Sequence, residues 1–268
     1  MRVRQLLIVV TLALLIGTGA VSAQADTQAR GGPKPTVVLV HGAFADASGW
    51  NDTIALLQAA GFPVIAPANP LRDSAGDAAY VSSILDTIPG PIILAAHSYG
   101  GIVITNAARG HANVKALVYL GAFAPDEGES ALQLASQFPG SLLGEALLPR
   151  PWSLPDGSQG VDGYITAERF REVFAADLPA AKTRLMAATQ RPGSVGGLSG
   201  GSGVPAWKTI PSWYLIPTED KVIPPAAQRF MAKRADSKVK EIKSSHVVMI
   251  SHPAAATAVI LSAYAATR

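Results

Sequence analysis

The sequence predicts an α/β domain built on a mostly parallel sheet of about six strands, flanked by helices and carrying a helical cap insertion. Six short apolar runs, most of them apolar on both faces, alternate with stretches of helical spacing, as in a parallel sheet covered by helices. The runs are residues 36–40, 63–66, 91–96, 115–120, 212–216 and 238–242. Because the last run alternates apolar and polar residues, we expect it at the edge of the sheet.

Amphipathic stretches between the runs supply the predicted helices. The clearest covers residues 77–88, where apolar side chains recur at i, i+3 and i+4: Tyr80, Val81, Ile84, Leu85 and Ile88. Such a stripe is typical of a helix that packs one face against a sheet. The other predicted helices cover residues 51–60, 101–109, 226–234 and 253–266.

The alternation breaks between residues 123 and 211, which contain glycines, prolines and isolated aromatic residues. We interpret residues 123–211 as a mostly helical cap, inserted into a domain that spans residues 36–268. An insertion after the carboxyl end of a strand lies above the sheet, where open α/β sheets bind ligands. The alternative is an ordinary set of surface helices.

The amino terminus has the pattern of an export signal. Two early arginines precede an apolar stretch over residues 6–16, and a small-x-small site ends at Ala23. The sequence predicts a signal peptide over residues 1–23, cleaved after Ala23 or Ala25, and a flexible linker over residues 24–35. We therefore expect a secreted or periplasmic protein without stable membrane association. The alternative is an uncleaved anchor, although the apolar stretch is shorter than the ~20 residues that span a bilayer.

The composition excludes several classes of function. Hydrophobic residues make up 49% of the 268 residues and charged residues 15%, so the chain can form a sizeable core. The net charge of +3 includes the two arginines of the predicted signal. Basic residues do not cluster with aromatic ones, so no nucleic-acid partner is expected. The chain has no cysteine, which excludes disulfides, zinc thiolates and a cysteine nucleophile.

Ser98 is the strongest candidate for a catalytic residue. It follows the apolar run at residues 91–96, small residues stand two positions away on either side, at Ala96 and Gly100, and a predicted helix begins at once. This is the strand–turn–helix arrangement of a nucleophile elbow, in which the turn strains the serine backbone and lifts the hydroxyl out of the sheet. The usual motif has Gly in place of Ala96, and Ala is the least bulky replacement.

The loop after the first strand completes the expected surroundings of the serine. Residues 41–44, His-Gly-Ala-Phe, offer backbone N–H groups that can point at a substrate oxygen. Two preorganised N–H donors stabilise the negative charge that develops in acyl transfer, and the loss of one costs about 3 kcal/mol. We assign this oxyanion role to the N–H groups of Ala43 and Tyr99. His41 and His97 are expected to shape the loop and the elbow.

The acid and the base follow later in the chain. Asp220 comes after the run at residues 212–216, in a Pro-rich turn, and His246 follows the last predicted strand. Like Ser98, both stand at carboxyl ends of strands, and Ser-Asp-His is an order in which catalytic triads occur. His246 would take the serine proton and Asp220 would orient the imidazole, with no metal or other cofactor. The alternative acids are Glu219, Asp126 and Glu127.

Together these motifs resemble a known family. Residues 38–44 with Trp50, and the segments 97–101, 218–220 and 245–249, are similar to α/β-hydrolases of the plant methylesterase and hydroxynitrile-lyase group, and closer to its bacterial esterase members. The resemblance extends from about residue 35 to the end. It implies the α/β-hydrolase fold, a six-stranded parallel core under a helical cap, cofactor-free chemistry and carboxylic-ester substrates. It also implies the roles just given to Ser98, Asp220, His246, Ala43 and Tyr99.

The sequence therefore predicts a serine hydrolase that cleaves small to medium hydrophobic carboxylic esters through an acyl-enzyme. Phe44 and Phe123, with the cap, are candidate walls of an apolar substrate site. The plant lyases carry Lys after the catalytic His and Thr after the first-loop His, where this chain has Val247 and Gly42. The alternatives are hydroxynitrile-lyase-like or other triad chemistry, and a non-catalytic ligand-binding protein on the same fold. The oligomeric state and the natural substrate are left open.

Overall fold

A six-stranded parallel sheet forms the centre of the computed structural model, which describes residues 33–268. Its strands are β1 (Thr36–Val40), β2 (Val64–Ile65), β3 (Ile92–Ser98), β4 (Val114–Ala122), β8 (Ser212–Pro217) and β9 (Lys238–Ile242), in the spatial order β2-β1-β3-β4-β8-β9. The prediction of a parallel sheet of about six strands is confirmed. The predicted signal peptide, residues 1–23, and most of the predicted linker, residues 24–35, lie outside the described residues.

The central strands are buried on both faces. Every residue of β3 is buried, and so are eight of the nine residues of β4. Continuous runs of Val, Ile, Leu and Ala are typical of strands in a sheet that helices cover on both faces. Strand β9 lies at the edge, as its alternating sequence predicts, and four of its five residues are exposed.

Helices lie between the parallel strands and after the last of them. They are α1 (Asn51–Ala59), α2 (Ser74–Asp86) and α3 (Gly100–Ala107) in the first half, and α9 (Pro225–Arg234), α10 (Val248–Ser251) and α11 (Pro253–Thr267) in the second. Helix α2 begins three residues before the predicted start at residue 77. The Asp73 carboxylate caps it there by accepting a hydrogen bond from the Gly76 N–H at 2.7 Å, and such caps fix where a helix begins. In the described residues, no helix is long and apolar enough to cross a membrane.

Residues 123–211 lie between the adjacent strands β4 and β8 and hold the five helices of the predicted cap. These are α4 (Ala131–Ser136), α5 (Leu143–Ala146), α6 (Ala167–Phe174), α7 (Ala180–Thr189) and α8 (Val195–Ser199). The region also contains a three-stranded antiparallel sheet that the sequence analysis did not predict. Its strands are β5 (Leu147–Ser153), β6 (Gln159–Ile165) and β7 (Gly193–Ser194), in the order β5-β6-β7.

The hairpin of β5 and β6 is hard to recognise in the sequence because its outer strand contains two prolines. Pro149 and Pro151 stand in β5, which is an edge strand and therefore tolerates residues that have no N–H to donate. Trp152 pairs with Gly160 across the hairpin, and a Cβ at Gly160 would overlap the indole ring. The glycine thus makes room for the tryptophan, and this cross-strand contact replaces the apolar alternation by which strands are usually recognised.

Two glycines let α3 lie directly against the sheet. A Cβ at Gly100 would stand 2.6 Å from the carbonyl oxygen of Val40 in β1, and one at Gly101 would overlap the carbonyl oxygen of Phe123, just after β4. Real Cβ atoms do not approach backbone oxygens this closely, because the electron clouds of the two atoms would overlap and repel each other. The path of the chain after β3 therefore requires glycine at both positions.

Two buried histidines hold neighbouring loops at the carboxyl end of the sheet. His41 Nδ1–H donates to the Gly42 carbonyl oxygen at 2.9 Å, and its Nε2 accepts from the Asn69 N–H at 3.0 Å. His97 Nε2–H donates to the His246 carbonyl oxygen at 3.0 Å. Burial lowers the pKa of His41, and burial with the nearby His246 holds the pKa of His97 well below its usual value of 6.5. Both rings are therefore neutral at physiological pH.

Replacing Gly101 by Ala tests the close approach of α3 to β4. Because the new methyl group would overlap the Phe123 carbonyl oxygen, we expect Gly101→Ala to lower the free energy of unfolding by about 3 kcal/mol or more. Urea denaturation measures this change. In the control Gly90→Ala, the added Cβ meets no atom within 4 Å, and stability should change by less than about 0.5 kcal/mol. Equal effects of the two replacements would contradict the packing argument.

The neutral histidines make stability depend on pH. Since the folded-state pKa values of His41 and His97 lie below 6.5, the unfolded chain binds more protons than the folded chain once the pH falls below that value. Stability is therefore complete at neutral pH and is lost as the pH decreases, by up to about 1.4 kcal/mol per pH unit for each histidine. Thermal unfolding between about pH 7 and about pH 5 measures this slope. In His97→Gln the slope should be smaller, and an unchanged slope would show that His97 is not its source.

Candidate active site

Ser98 stands at the carboxyl end of β3 in a strained conformation. Its φ is 55°, in the left-handed region that non-glycine residues rarely adopt, and its side chain is almost fully buried. The register between β3 and β4 shifts at this point, and the Ser98 carbonyl oxygen accepts from the Phe123 N–H at 3.1 Å. Helix α3 begins two residues later. The geometry is that of a nucleophile elbow.

Asp220 lies in the turn after β8, and its carboxylate is held by three donors besides the histidine. Oδ1 accepts from the N–H groups of Val222 at 2.8 Å and Ile223 at 2.9 Å, and Oδ2 accepts from Gln228 Nε2 at 2.8 Å. The residue is 2% exposed, so these hydrogen bonds replace the water that burial removes. The tight turn and the first half of α9 together fix where the carboxylate points.

His246 lies on the loop after β9 and contacts this carboxylate. Its Nδ1–H donates to Asp220 Oδ2 at 2.7 Å, and both side chains are fully buried. In a neutral imidazole this bond makes Nε2 the acceptor nitrogen, and in the part of the chain that the structure describes Nε2 has no hydrogen-bond partner. The imidazole lies beside the end of β3, since its ring centroid is 4.5 Å from that of His97.

No hydrogen bond joins the Ser98 hydroxyl to His246, or to any other group in residues 33–268. Neither atom of the expected proton transfer, Ser98 Oγ or His246 Nε2, thus forms a hydrogen bond with another group in these residues. Hydrogen bonds of this kind are often long in ligand-free proteins and shorten when substrate binds. The structure brings Asp220 and His246 into direct contact, with Ser98 on the strand that abuts the His246 loop.

The alternative acids lie elsewhere. The Glu219 side chain is 52% exposed and faces only Lys243, at 3.6 Å. Asp126 pairs with Lys208 at 2.7 Å, and Glu127 is exposed on the same loop. Of the acids that the sequence left open, Asp220 is therefore the one bonded to His246. In residues 33–268, no three His, Asp or Glu side chains are grouped so that they could hold a metal ion.

Two buried N–H groups beside Ser98 are free. Neither the Ala43 N–H nor the Tyr99 N–H donates to another group within residues 33–268, although both residues are almost fully buried. Buried N–H groups without a partner are rare in proteins. The two loops are close, since a Cβ at Gly42 would lie 3.1 Å from Ser98 Oγ. The pair can therefore donate to a charged oxygen on a group attached to the serine.

The phenol of Tyr99 is bound by Asp77 and is not itself a donor towards Ser98. Its hydroxyl donates to Asp77 Oδ2 at 2.9 Å, and Asp77 Oδ1 accepts from the Arg72 N–H at 3.1 Å. Burial raises the pKa of both Tyr99 and Asp77. The side chain thus fixes the position of the backbone N–H at the start of α3.

The two predicted wall residues occupy different positions. Phe44 is buried, has a φ of 61°, and its ring meets Phe174 edge to face at 6.1 Å between centroids. Phe123 is also buried, and its backbone takes part in the elbow through the hydrogen bond to Ser98. Of the four non-glycine residues with positive φ in the described chain, Phe44 and Ser98 both lie here. Such strain clusters at functional sites.

Two residues that contact the Asp220–His246 pair are not predicted by the sequence. Phe174, at the end of α6, packs its ring against the imidazole at 5.1 Å between centroids, and Gln228, in α9, binds Asp220. The sequence contains Phe174 as one of several cap aromatics and gives no sign of its contact. Gln228 lies one helical turn after a Pro-Pro helix start, on the face of α9 that also buries Ala227, Met231 and Ala232. A polar residue among apolar ones at helical spacing is the signal in the sequence that could have found it.

Comparisons with known proteins find relatives that are named as hydrolases. A carbendazim-hydrolysing esterase of Nocardioides sp. is 36% identical over 113 residues, which cover 36% of this chain and 46% of that esterase, so the match spans less than half its length. A pyrethroid hydrolase of Sphingobium wenxiniae is 28% identical over 243 residues, covering 81% of this chain and 83% of that protein.

The fold is also that of a solved esterase. The crystal structure of polyneuridine aldehyde esterase superposes with a TM-score of 0.75 at 21% identity, covering 85% of this chain and 98% of that one. The family model described as "Alpha/beta hydrolase family" matches residues 37–259. The resemblance seen in the motifs is thereby confirmed at the level of the family. The chain belongs to the α/β-hydrolase family.

Proposed function

We propose that this chain is a serine esterase that cleaves small to medium hydrophobic carboxylic esters through an acyl-enzyme on Ser98. The observation that carries the proposal is the buried 2.7 Å hydrogen bond from His246 to Asp220. It fixes the tautomer whose Nε2 can accept a proton, beside a strand that ends in a strained serine. A serine hydroxyl needs such a base to act as a nucleophile near neutral pH.

The proposed reaction has two halves. Ser98 Oγ attacks the ester carbonyl carbon while its proton passes to His246 Nε2. The tetrahedral intermediate then collapses, the C–O bond to the alcohol breaks, and His246 returns the proton to the leaving alcohol. In the second half a water molecule attacks the acyl-enzyme, His246 accepts and returns its proton in the same way, and the free acid and Ser98 are released.

Charge is stabilised at two places during this cycle. The oxygen of the tetrahedral intermediate carries a negative charge, which the free N–H groups of Ala43 and Tyr99 would bind. The imidazolium of His246 carries the positive charge, which the Asp220 carboxylate balances at 2.7 Å. Because both donors and the acid are fixed in the free protein, little reorganisation is required at the moment of reaction.

An apolar ester suits the surroundings of the site. Phe174 packs against the His246 ring, and the buried rings of Phe44 and Phe170 pack in turn against Phe174. Apolar surroundings of this kind bind apolar groups rather than charged ones. Two relatives, named as an esterase and a pyrethroid hydrolase, support ester hydrolysis at the family level. Nitrophenyl esters of increasing acyl-chain length are therefore the substrates of choice for the tests below.

Removing the nucleophile tests the proposal. We expect Ser98→Ala to lower kcat for a nitrophenyl ester by about 10⁴-fold or more, and to abolish covalent labelling by a fluorophosphonate. The control Ser158→Ala removes an exposed serine of the cap hairpin and should leave both unchanged. Labelling of Ser98 without ester turnover would favour another triad reaction, such as a lyase, and no labelling would favour a ligand-binding protein. Either result would refute the esterase.

Exchanging the acid tests its assignment against its neighbour in the sequence. Asp220→Asn keeps the shape of the side chain but removes the charge that balances the imidazolium, so we expect kcat to fall by about 10⁴-fold. Glu219→Gln removes the exposed carboxylate next to it and should change kcat by less than about twofold. Steady-state kinetics with one ester measures both. A large loss of kcat in Glu219→Gln together with a small loss in Asp220→Asn would show that Asp220 is not the acid.

A further inference from the structure

One aspartate of the cap binds the loop that carries His246. Asp177 stands in the turn between α6 and α7, and its two carboxylate oxygens face residues 244 and 245, directly before the histidine. Oδ2 accepts from the Ser245 N–H at 2.9 Å and from Ser244 Oγ at 3.0 Å. Oδ1 accepts from Ser245 Oγ. One side chain of the cap thus satisfies three donors of the loop.

The hydrogen bonds define Asp177 as an acceptor for this loop. The two serines are buried, whereas Asp177 itself lies at the surface of the cap. Burial alone would raise the pKa of Asp177, but the hydrogen bonds from Ser245 and its neighbours outweigh it and lower the pKa. The carboxylate is therefore charged at neutral pH, and its bonds are of the stronger, charge-assisted kind.

A second contact reaches the same histidine from the same part of the cap. Phe174, the last residue of α6, lies three positions before Asp177 and is fully buried against the His246 imidazole, at 5.1 Å between ring centroids. The turn between them is itself held, since the Leu178 N–H donates to the Ala175 carbonyl oxygen at 3.1 Å. The contact of Phe174 with the imidazole and the hydrogen bonds of Asp177 with the loop thus come from one short segment, which is held by a hydrogen bond of its own.

We propose that Asp177 and Phe174 are positioning residues for His246, so that the cap turn of residues 174–178 latches onto the catalytic loop and sets the place of the imidazole. The inference rests on the proposed function of His246 as the base. Asp220 fixes the imidazole from the side of the sheet and His97 fixes its backbone carbonyl from β3. The cap turn supplies the third side, so the cap is part of the catalytic geometry as well as a cover.

Kinetics of Asp177→Ala separate this role from substrate binding. A displaced base slows the chemical step, and misplacement by about 1 Å can cost 10²-fold. We expect kcat for a nitrophenyl ester to fall about 10- to 100-fold while KM changes less than about threefold. The rate of fluorophosphonate labelling at Ser98 should fall in parallel, because labelling needs the same base. A raised KM with unchanged kcat would overturn the proposal, since the cap would then act only on substrate binding.

Asp156 provides the matched control. It lies in the turn of the cap hairpin and also accepts from a serine N–H, at 2.9 Å, and from the hydroxyl of the same serine, at 2.6 Å. Because these bonds stay within the hairpin, Asp156→Ala should leave kcat and KM within about twofold of the wild type. An equal loss of kcat in both variants would mean that cap damage in general is responsible, and would refute a specific latch.

A double-mutant cycle tests the bond itself. Ser245→Ala removes one donor to Asp177, so the loss of kcat in the double variant should be smaller than the product of the two single losses. Independent effects would refute the bond as the cause. Asp177→Asn retains an acceptor for the Ser245 N–H without the charge and should lose less kcat than Asp177→Ala; an equal or greater loss would refute the acceptor role.

Hydrogen exchange makes the latch testable without activity. In Asp177→Ala, amide exchange of residues 243–251 should be faster than in the wild type, whereas Asp156→Ala should leave it unchanged. Unchanged exchange in Asp177→Ala refutes the latch. If the wild type neither cleaves esters nor is labelled, the proposed function fails, and with it the positioning role. Faster exchange would then still show that the cap turn holds the loop.

Discussion

The close crossing of α3 over β1 and β4 is the constraint on which the site depends. Ser98 remains in its left-handed conformation, which costs about 1–3 kcal/mol, because the chain before and after it is held by packing. Ile102, Val103 and Ile104 of α3 are fully buried, and each buried side chain of this size contributes about 1.5–3 kcal/mol. This burial can offset the strain at Ser98 only because Gly100 and Gly101 allow α3 to contact the sheet.

The same crossing explains why the site needs few groups of its own. It brings the Tyr99 N–H, at the start of α3, close to the loop that contains Ala43. Two free backbone N–H groups therefore lie near Ser98, and no side chain is needed as a donor there. The buried Asp220–His246 pair is stabilised in a comparable way, since a backbone turn and Gln228 satisfy the carboxylate. Burial of an unsatisfied ion would cost several kcal/mol, and here the fold supplies the donors.

Much of this could be predicted from the sequence, and the reason is local. The strands, the turn at Ser98 and the loops that carry Asp220 and His246 each follow from a short stretch in which apolar runs end at small or polar residues. The start of α2 was misplaced by one turn because the cap at Asp73 acts before the apolar stripe begins. The cap sheet was missed because its strand β5 contains prolines and pairs through a Trp–Gly contact. Phe174 and Asp177 were missed because their partners lie about 70 residues away, and no local pattern encodes such contacts.

The two edge strands of the parallel sheet, β2 and β9, differ in length and charge, and this difference affects how readily the sheet can pair with strands of other molecules. At one margin β2 has only two residues, too few to template another strand, and at the other β9 presents Lys238, Lys240 and Glu241 to solvent. Unpaired backbone groups at a sheet margin recruit strands from other molecules unless charge or brevity opposes it. The short length of β2 protects one edge and the charges of β9 protect the other, so both edges of the parallel sheet disfavour pairing with strands of other molecules.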